Sequence, residues 1–206
     1  MLNPLLSIKP MELFAPIDAL LTIRSKPIKR AGTTLPGVVV PSHKYLWYYV
    51  ATWPDGSLAA SLHLGEGIVP AGEAQPWRVM RRDRTRTLLM PTLQGPEPAA
   101  SYYPGGSGVS GEFQRITDGD SRLGGFDIFG NGWRGGVVLR RETKERTLIL
   151  RGDGDSPNVY YMEPVPRASA QPTVASALLL AYILTEHEVR EGSWIKRPTS
   201  YFPPPG

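Results

Sequence analysis

The sequence contains no cysteine among its 206 residues. This absence excludes disulfide bonds, thiolate catalysis, metal sites built on cysteine sulfur, and membrane anchoring through a palmitoylated cysteine. The chain also lacks an apolar run long enough to cross a bilayer. Its most apolar stretch, residues 174–184 (VASALLLAYIL), would form a helix about 16 Å long, whereas a spanning helix needs roughly 20 residues. We find no signal-peptide pattern near the N-terminus and therefore expect a cytoplasmic protein without a transmembrane segment.

Glycine and proline are abundant, with 22 and 21 residues, and they favour many tight turns. Between these turns lie short runs rich in β-branched and aromatic residues, at the spacing that is typical of antiparallel sandwiches and barrels. Roughly nine or ten strands are predicted, with a turn at residues 54–56 and a hairpin around residues 130–132. Residues 94–111, rich in glycine, proline and serine, are predicted to form a long loop.

Residues 174–184 are apolar around the whole helical circumference, with only Ser176 as an interruption. A helix of this kind must be enclosed by protein on all sides. Pro172 and Thr173 mark its start, and residues 186–191 are predicted to be its polar, solvent-facing end. The sequence therefore predicts an all-β fold with one buried C-terminal helix, as an antiparallel β-barrel or a strongly curled sheet around that helix.

Three segments are expected along the chain. Residues 1–36 are predicted to form an irregular basic arm, with one short helix or strand around residues 17–23. Residues 37–192 are predicted to form the barrel domain, with its central helix at about residues 173–190. Residues 193–206, which include four prolines, are predicted to form an extended tail.

Arginine dominates the charge, because 17 arginines and 6 lysines against 19 acidic residues give a net charge of +4. A basic balance favours anionic partners such as nucleic acid or acidic lipid headgroups. Two clusters are the candidate anion-binding residues, since forked guanidinium groups hold phosphate oxygens in pairs. The first cluster is Arg78, Arg81, Arg82, Arg84 and Arg86, and the second is Arg24, Lys26, Lys29 and Arg30.

The first cluster has two interpretations. On a β-hairpin, Arg82, Arg84 and Arg86 are expected to project to one side and to hold a phosphate together. Alternatively, the arginines keep a solvated hairpin tip soluble and bind nothing. The two clusters could form one site only if the fold brings them together.

No catalytic, metal or cofactor site is predicted. The sequence Asp-Gly-Asp-Ser occurs at residues 118–121 and 153–156, but neither copy has the further ligands of a calcium loop, so both are predicted to be turns. His187 begins a zincin-like sequence whose second histidine is replaced by glutamate. His43 and His63 have no partner pattern. We therefore expect neither enzymatic activity nor a cofactor.

Aromatic residues form two further groups. Tyr45, Trp47 and Tyr49 fall on one face of a predicted strand and are expected to be core residues, although such a face could also stack on bases or sugars. Tyr102 and Tyr103 are expected to be an exposed pair in the long loop.

The order of these features resembles the tubby C-terminal-like superfamily, which includes tubby proteins, phospholipid scramblases and LURP-one-related proteins. The likeness runs from about residue 45 to residue 188. It is closest at residues 126–132 (FDIFGNG), 159–164 (VYYMEP) and 174–184. The resemblance implies a barrel of roughly a dozen strands around a hydrophobic helix. It also implies an intracellular binding or scaffold module that engages phosphoinositides or other anionic headgroups.

The favoured function is therefore a tubby-like module, peripheral to membranes, whose partner is an anionic membrane surface or a phosphorylated ligand. Two alternatives stay open. A basic arm ahead of a β-domain also suits a structural protein such as a small viral coat subunit, whose arm contacts nucleic acid. A carbohydrate-binding or hydrolytic β-sandwich would use an aromatic-lined cleft.

Overall fold

The computed structural model describes residues 10–26, 34–35, 38–39, 48–73, 75–83, 85–104, 114–119, 125–130, 132–156 and 158–190. Within these ranges lie 14 strands, one long helix and two short 3-10 helices. The strands are β1 (Leu21–Lys26), β2 (Thr34–Leu35), β3 (Val38–Val39), β4 (Tyr48–Thr52), β5 (Leu58–His63), β6 (Gly67–Pro70), β7 (Trp77–Arg82), β8 (Thr85–Met90), β9 (Glu97–Pro104), β10 (Gln114–Asp118), β11 (Phe126–Gly130), β12 (Gly136–Arg140), β13 (Arg146–Gly152) and β14 (Val159–Pro164). The helices are α1 (Val174–Arg190) and the 3-10 helices Pro10–Phe14 and Gly132–Arg134.

Twelve of the strands form a closed antiparallel barrel. Strands β4 to β14 follow one another around the wall, and β1 completes the ring between β14 and β4. The remaining strands, β2 and β3, pair with each other. This arrangement confirms the predicted all-β barrel, and closure leaves the wall without the unpaired edges of an open sheet.

Helix α1 lies inside the barrel. Every residue from 174 to 186 is buried, and Leu179 and Ala181 have no exposed surface. The helix packs against β5, β6, β8, β9 and β10 and against the first 3-10 helix. The buried C-terminal helix is therefore confirmed, because a closed wall supplies the apolar surroundings that a helix apolar on every face requires.

Hydrogen bonds from the wall fix the start of α1. The backbone N–H of Ser176 donates to Thr173 Oγ1 at 3.2 Å, which is the contact of a helix N-cap. Asp118, the last residue of β10, accepts the Thr173 hydroxyl at 2.6 Å and also accepts the Ser176 hydroxyl. A carboxylate at this position is favoured by the helix dipole. Asp118, the first residue of the first Asp-Gly-Asp-Ser copy, therefore anchors the helix, and the last two residues of that copy lie outside the described residues. Asp153 of the second copy forms the predicted turn.

Strand β9 corrects the prediction of a loop over residues 94–111 at residues 97–104, and residues 105–111 lie outside the described residues. Ala99, Ala100 and Ser101 are buried in it, and the strand packs against α1. Small side chains leave room for the helix, so burial against α1 outweighs the turn-like composition. The expected exposed pair is also wrong, because Tyr102 is buried and its neighbour is half-buried.

Strand β1 corrects the boundary between arm and barrel. The sequence assigns residues 1–36 to an irregular arm, yet Leu21–Lys26 is a strand of the wall. The segment before it also belongs to the barrel, since the Ile17 N–H donates to the Pro172 carbonyl at 2.9 Å, next to the start of α1. The short helix or strand predicted around residues 17–23 is thus in part a strand, which begins at Leu21 and belongs to the wall.

Other predictions fall outside the described residues. These include the tail at residues 193–206, Tyr45 with Trp47, and His43. Tyr49, the third aromatic residue of its predicted face, is buried in the core.

Candidate anion-binding site

The first arginine cluster lies on the β7–β8 hairpin, at the end of the barrel where α1 ends. Arg82 pairs with Thr85 across a two-residue turn, in which Asp83 has a positive φ of 53°. Arg78 pairs with Gly67, the first residue of β6, so the rest of β7 extends past the start of β6. The hairpin therefore projects from the wall, and we call this end of the barrel the hairpin end.

Strand alternation divides the arginines between the two faces of the hairpin. Arg78 and Arg82 point outward and are exposed, whereas Arg81 and its cross-strand partner Arg86 face α1. The expected common face of Arg82 and Arg86 is therefore wrong, because the register pairs Arg86 with Arg81. Arg84 lies outside the described residues.

Arg81 and Arg86, the inner pair, converge on the carboxylate of Glu186 near the end of α1. Arg81 Nη2 is in direct contact with Glu186 Oε1, and Arg86 Nε lies 3.8 Å from Glu186 Oε2. The Glu186 side chain is 9% exposed, against 38% for Arg81 and 16% for Arg86. The predicted solvent-facing helix end is thus wrong at Glu186. The helical spacing of the sequence indicates this burial, because Glu186 follows the buried Tyr182 by four positions and the buried Ile183 by three, and so lies on the same face of the helix.

The outward face of β7 combines positive charge with an exposed apolar side chain. Met80 lies between Arg78 and Arg82 and is 46% exposed. Alternate residues of a strand project on one face at intervals of about 7 Å, so the three side chains stand in a row. We call Arg78, Met80 and Arg82 the outer strip.

The second basic cluster is partly in the barrel wall. Arg24 is exposed on β1, while the side chain of Lys26 and the whole of Lys29 and Arg30 lie outside the described residues. Arg24 pairs with Val159, the first residue of β14, which puts it at the hairpin end. However, β4, β5 and β6 separate β1 from β7. Arg24 therefore lies at the same end of the barrel as the first cluster, but not on a neighbouring strand.

Near Arg24, the outer wall carries a polar network of Arg151, Asp153 and Tyr161. Tyr161 donates to Asp153 Oδ2 at 2.9 Å, and the Arg151 guanidinium lies 4.6 Å from the centre of the Tyr161 ring. The backbone N–H of Asp155 and the Tyr161 hydroxyl hold the pKa of Asp153 below its usual value, and Asp153 in turn raises the pKa of Tyr161. Because Asp153 adds negative charge to this part of the wall, the outer strip is the stronger candidate for an external anion.

The histidines occupy unlike positions. His63 is buried on β5, and the loss of hydration lowers its pKa below the ordinary value of 6.5. His187 is exposed on α1. Across the described part of the chain, no group of three histidine, aspartate or glutamate side chains is placed to hold a metal ion.

Among the described residues, no helix combines the length and apolar character needed to span a bilayer.

No protein-family model matches this chain, and no curated protein matches it. Among solved structures, the chain is similar to an X-ray structure of a protein from Arabidopsis thaliana, AT5G01750. The two share 14% sequence identity with a TM-score of 0.36, over 90% of this chain and 98% of the other. A function for this chain is therefore inferred from the geometry of the site.

Proposed function

We propose that this protein is a non-enzymatic binding module of tubby C-terminal-like type that engages the phosphate groups of anionic lipids at the cytoplasmic face of membranes. The outer strip is the observation that supports this function, because the exposed guanidinium groups of Arg78 and Arg82 flank the exposed thioether of Met80. Guanidinium groups bind phosphate oxygens in pairs, and an apolar side chain beside them gains from contact with the acyl boundary.

The outer arginines carry this proposal, whereas the inner pair does not. Arg81 and Arg86 share the Glu186 carboxylate, so their charges are already partly offset within the molecule. Arg78 and Arg82 point away from the barrel on a hairpin that extends past the start of β6. A projecting hairpin can approach a flat surface without obstruction from its neighbouring strand.

The expected strength follows from the charge of the strip. Each basic residue near an anionic membrane contributes about 1 kcal/mol, so two arginines contribute about 2 kcal/mol. That difference corresponds to roughly a 30-fold change in partitioning. Salt screens such interactions, so binding should weaken as ionic strength rises.

The experiment compares two double variants with the same change in net charge. Arg78→Glu/Arg82→Glu alters the outer strip, and Arg141→Glu/Arg167→Glu alters exposed residues in connections at the opposite end of the barrel. Sedimentation with phosphatidylcholine vesicles that contain phosphatidylinositol 4,5-bisphosphate measures partitioning. We expect the outer-strip variant to lose about 30-fold or more, while the control stays close to wild type.

Two results would reject the proposal. If the outer-strip variant binds as well as wild type, the strip is not the ligand site. If both variants lose binding equally, overall charge determines binding and no particular surface does.

The alternatives lose part of their basis in the fold. The coat-protein alternative relies on a basic arm that contacts nucleic acid, but Arg24 and Lys26 belong to β1 in the barrel wall. The β-sandwich alternative relies on two packed sheets, and the wall here is one closed barrel. The lipid-binding proposal relies on neither feature.

A further inference from the structure

The inner pair places two positive charges face to face. Arg81 and Arg86 are direct partners across the β7–β8 hairpin. Like charges directly opposite each other destabilise a sheet. Both guanidinium groups reach the Glu186 carboxylate, so a single anion between them offsets the repulsion.

Glu186 itself occupies an unfavourable position for a carboxylate. It lies about one turn before the end of α1, where the helix dipole disfavours negative charge. Its side chain is also only 9% exposed, and a buried carboxylate requires charged or hydrogen-bonded partners. The Arg81 and Arg86 side chains meet that requirement. Two arginines from facing strands therefore form an anion site that the chain fills with its own carboxylate.

We propose that a phosphate group of the ligand can displace Glu186 and bind between Arg81 and Arg86. This inference rests on the proposed function, because it makes the inner pair a second phosphate site behind the outer strip. Phosphate presents paired oxygens as a carboxylate does, and a phosphomonoester carries more charge. Arg81 is 38% exposed, so the site is open to solvent on its side.

The exchange makes Glu186 a regulator of ligand affinity. Phosphate can enter the inner site only in molecules whose Glu186 carboxylate has left it. The measured affinity is therefore the affinity of the open site multiplied by the fraction of molecules in which the site is open. When phosphate replaces the carboxylate, the end of α1 loses this contact with the hairpin. The backbone amides around Glu186 should then exchange with deuterium faster when the ligand is bound.

The test compares Glu186→Gln with Glu163→Gln in the full chain. Both variants remove one negative charge, but Glu163 is exposed on the outer wall, where it lies 3.6 Å from Arg151. Calorimetric titration with inositol hexakisphosphate, a soluble polyphosphate, measures affinity. We expect Glu186→Gln to bind about tenfold more tightly than Glu163→Gln, the effect of removing one competing charge-assisted hydrogen bond. Adding Arg81→Gln should abolish this gain.

The outcomes separate this inference from the proposed function. If wild type binds but Glu186→Gln binds no more tightly than Glu163→Gln, the displacement is rejected and the proposed function stands. If only Glu186→Gln binds, the inner site is supported and the outer strip is rejected as the primary site. If no variant binds polyphosphate or vesicles containing phosphatidylinositol 4,5-bisphosphate, both proposals are rejected.

Two additions complete the design. The same variants on those vesicles show whether the displacing phosphate belongs to a lipid or to a soluble polyphosphate, according to where the gain is larger. If Glu186→Gln does not fold, Glu186→Asp withdraws the carboxylate by one methylene while keeping its charge. It is compared with Glu163→Asp, and equal affinities of that pair would reject the displacement.

Discussion

The register of the β7–β8 hairpin places its described arginines in two different environments. Arg82 pairs with Thr85, so Arg81 pairs with Arg86, and the arginines fall on two faces with different neighbours. The sequence predicts the β7–β8 hairpin correctly, but the faces of its arginines depend on where the turn begins. A shift of one residue exchanges inward and outward positions along a strand. Sequence alone therefore identifies the arginines as a group and cannot assign them individually.

The buried side chain of His63 leads to a prediction for the pH dependence of stability. Burial lowers its pKa below 6.5, so the unfolded chain takes up a proton first as the pH falls. The stability contribution of neutral His63 is complete above pH 6.5 and is lost as the pH falls toward the pKa of the folded state. Urea unfolding at pH 7.5 and pH 5.5 should show a loss of stability in wild type that is smaller in His63→Gln.

The control for this measurement is His187→Gln, at an exposed position on α1. It removes an imidazole and leaves the buried ring of His63 in place. Hydrogen bonds lower the pKa values of three carboxylates, Asp55, Glu145 and Asp153, whose ordinary values are 3.8 to 4.5. Their contribution to stability is therefore lost only at pH values below this range. An unchanged pH dependence in His63→Gln would mean that burial does not disfavour the protonated ring.

At the scale of elements, the sequence predicts what composition alone determines. Residues 174–184 are apolar on every face, which is sufficient to predict a buried helix. The burial of Glu186 cannot be predicted from local composition, because its carboxylate is stabilised by arginines that are about a hundred residues earlier in the chain. The same holds for strand β9, since Ala99 and Ala100 are buried by contact with a helix that the local sequence does not contain.

The central helix leads to a prediction for Leu179→Asp. Leu179 is completely buried, and a carboxylate in apolar surroundings costs several kcal/mol, comparable with the roughly 5–15 kcal/mol that stabilises a domain. We expect this variant to unfold, as measured by circular dichroism and urea titration. Ile149→Asp is the control, because Ile149 is 40% exposed on the outer face of β13. A stable Leu179→Asp variant would contradict the enclosure of α1.

At the scale of the whole molecule, closure of the barrel determines which residues share an end. Strand β1 inserts between β14 and β4, and this brings Arg24 to the same end as the β7–β8 hairpin. Pairing of the first strand with the last depends on contacts more than a hundred residues apart, and no local pattern encodes it. The element order suggested a barrel, but the location of Arg24 at the end that carries the β7–β8 hairpin required the complete topology.

We propose that the hairpin end of the barrel meets the anionic membrane surface. The sequence contains no cysteine, so a single introduced thiol can be labelled to measure this contact directly. Met80→Cys places one thiol on the outer strip, and Leu93→Cys places one on the fully exposed β8–β9 turn at the opposite end. Each variant is labelled with a polarity-sensitive dye and titrated with vesicles that contain phosphatidylinositol 4,5-bisphosphate. We expect a blue shift and brighter emission at position 80, with little change at position 93. An equal or larger response at position 93 would contradict the proposal.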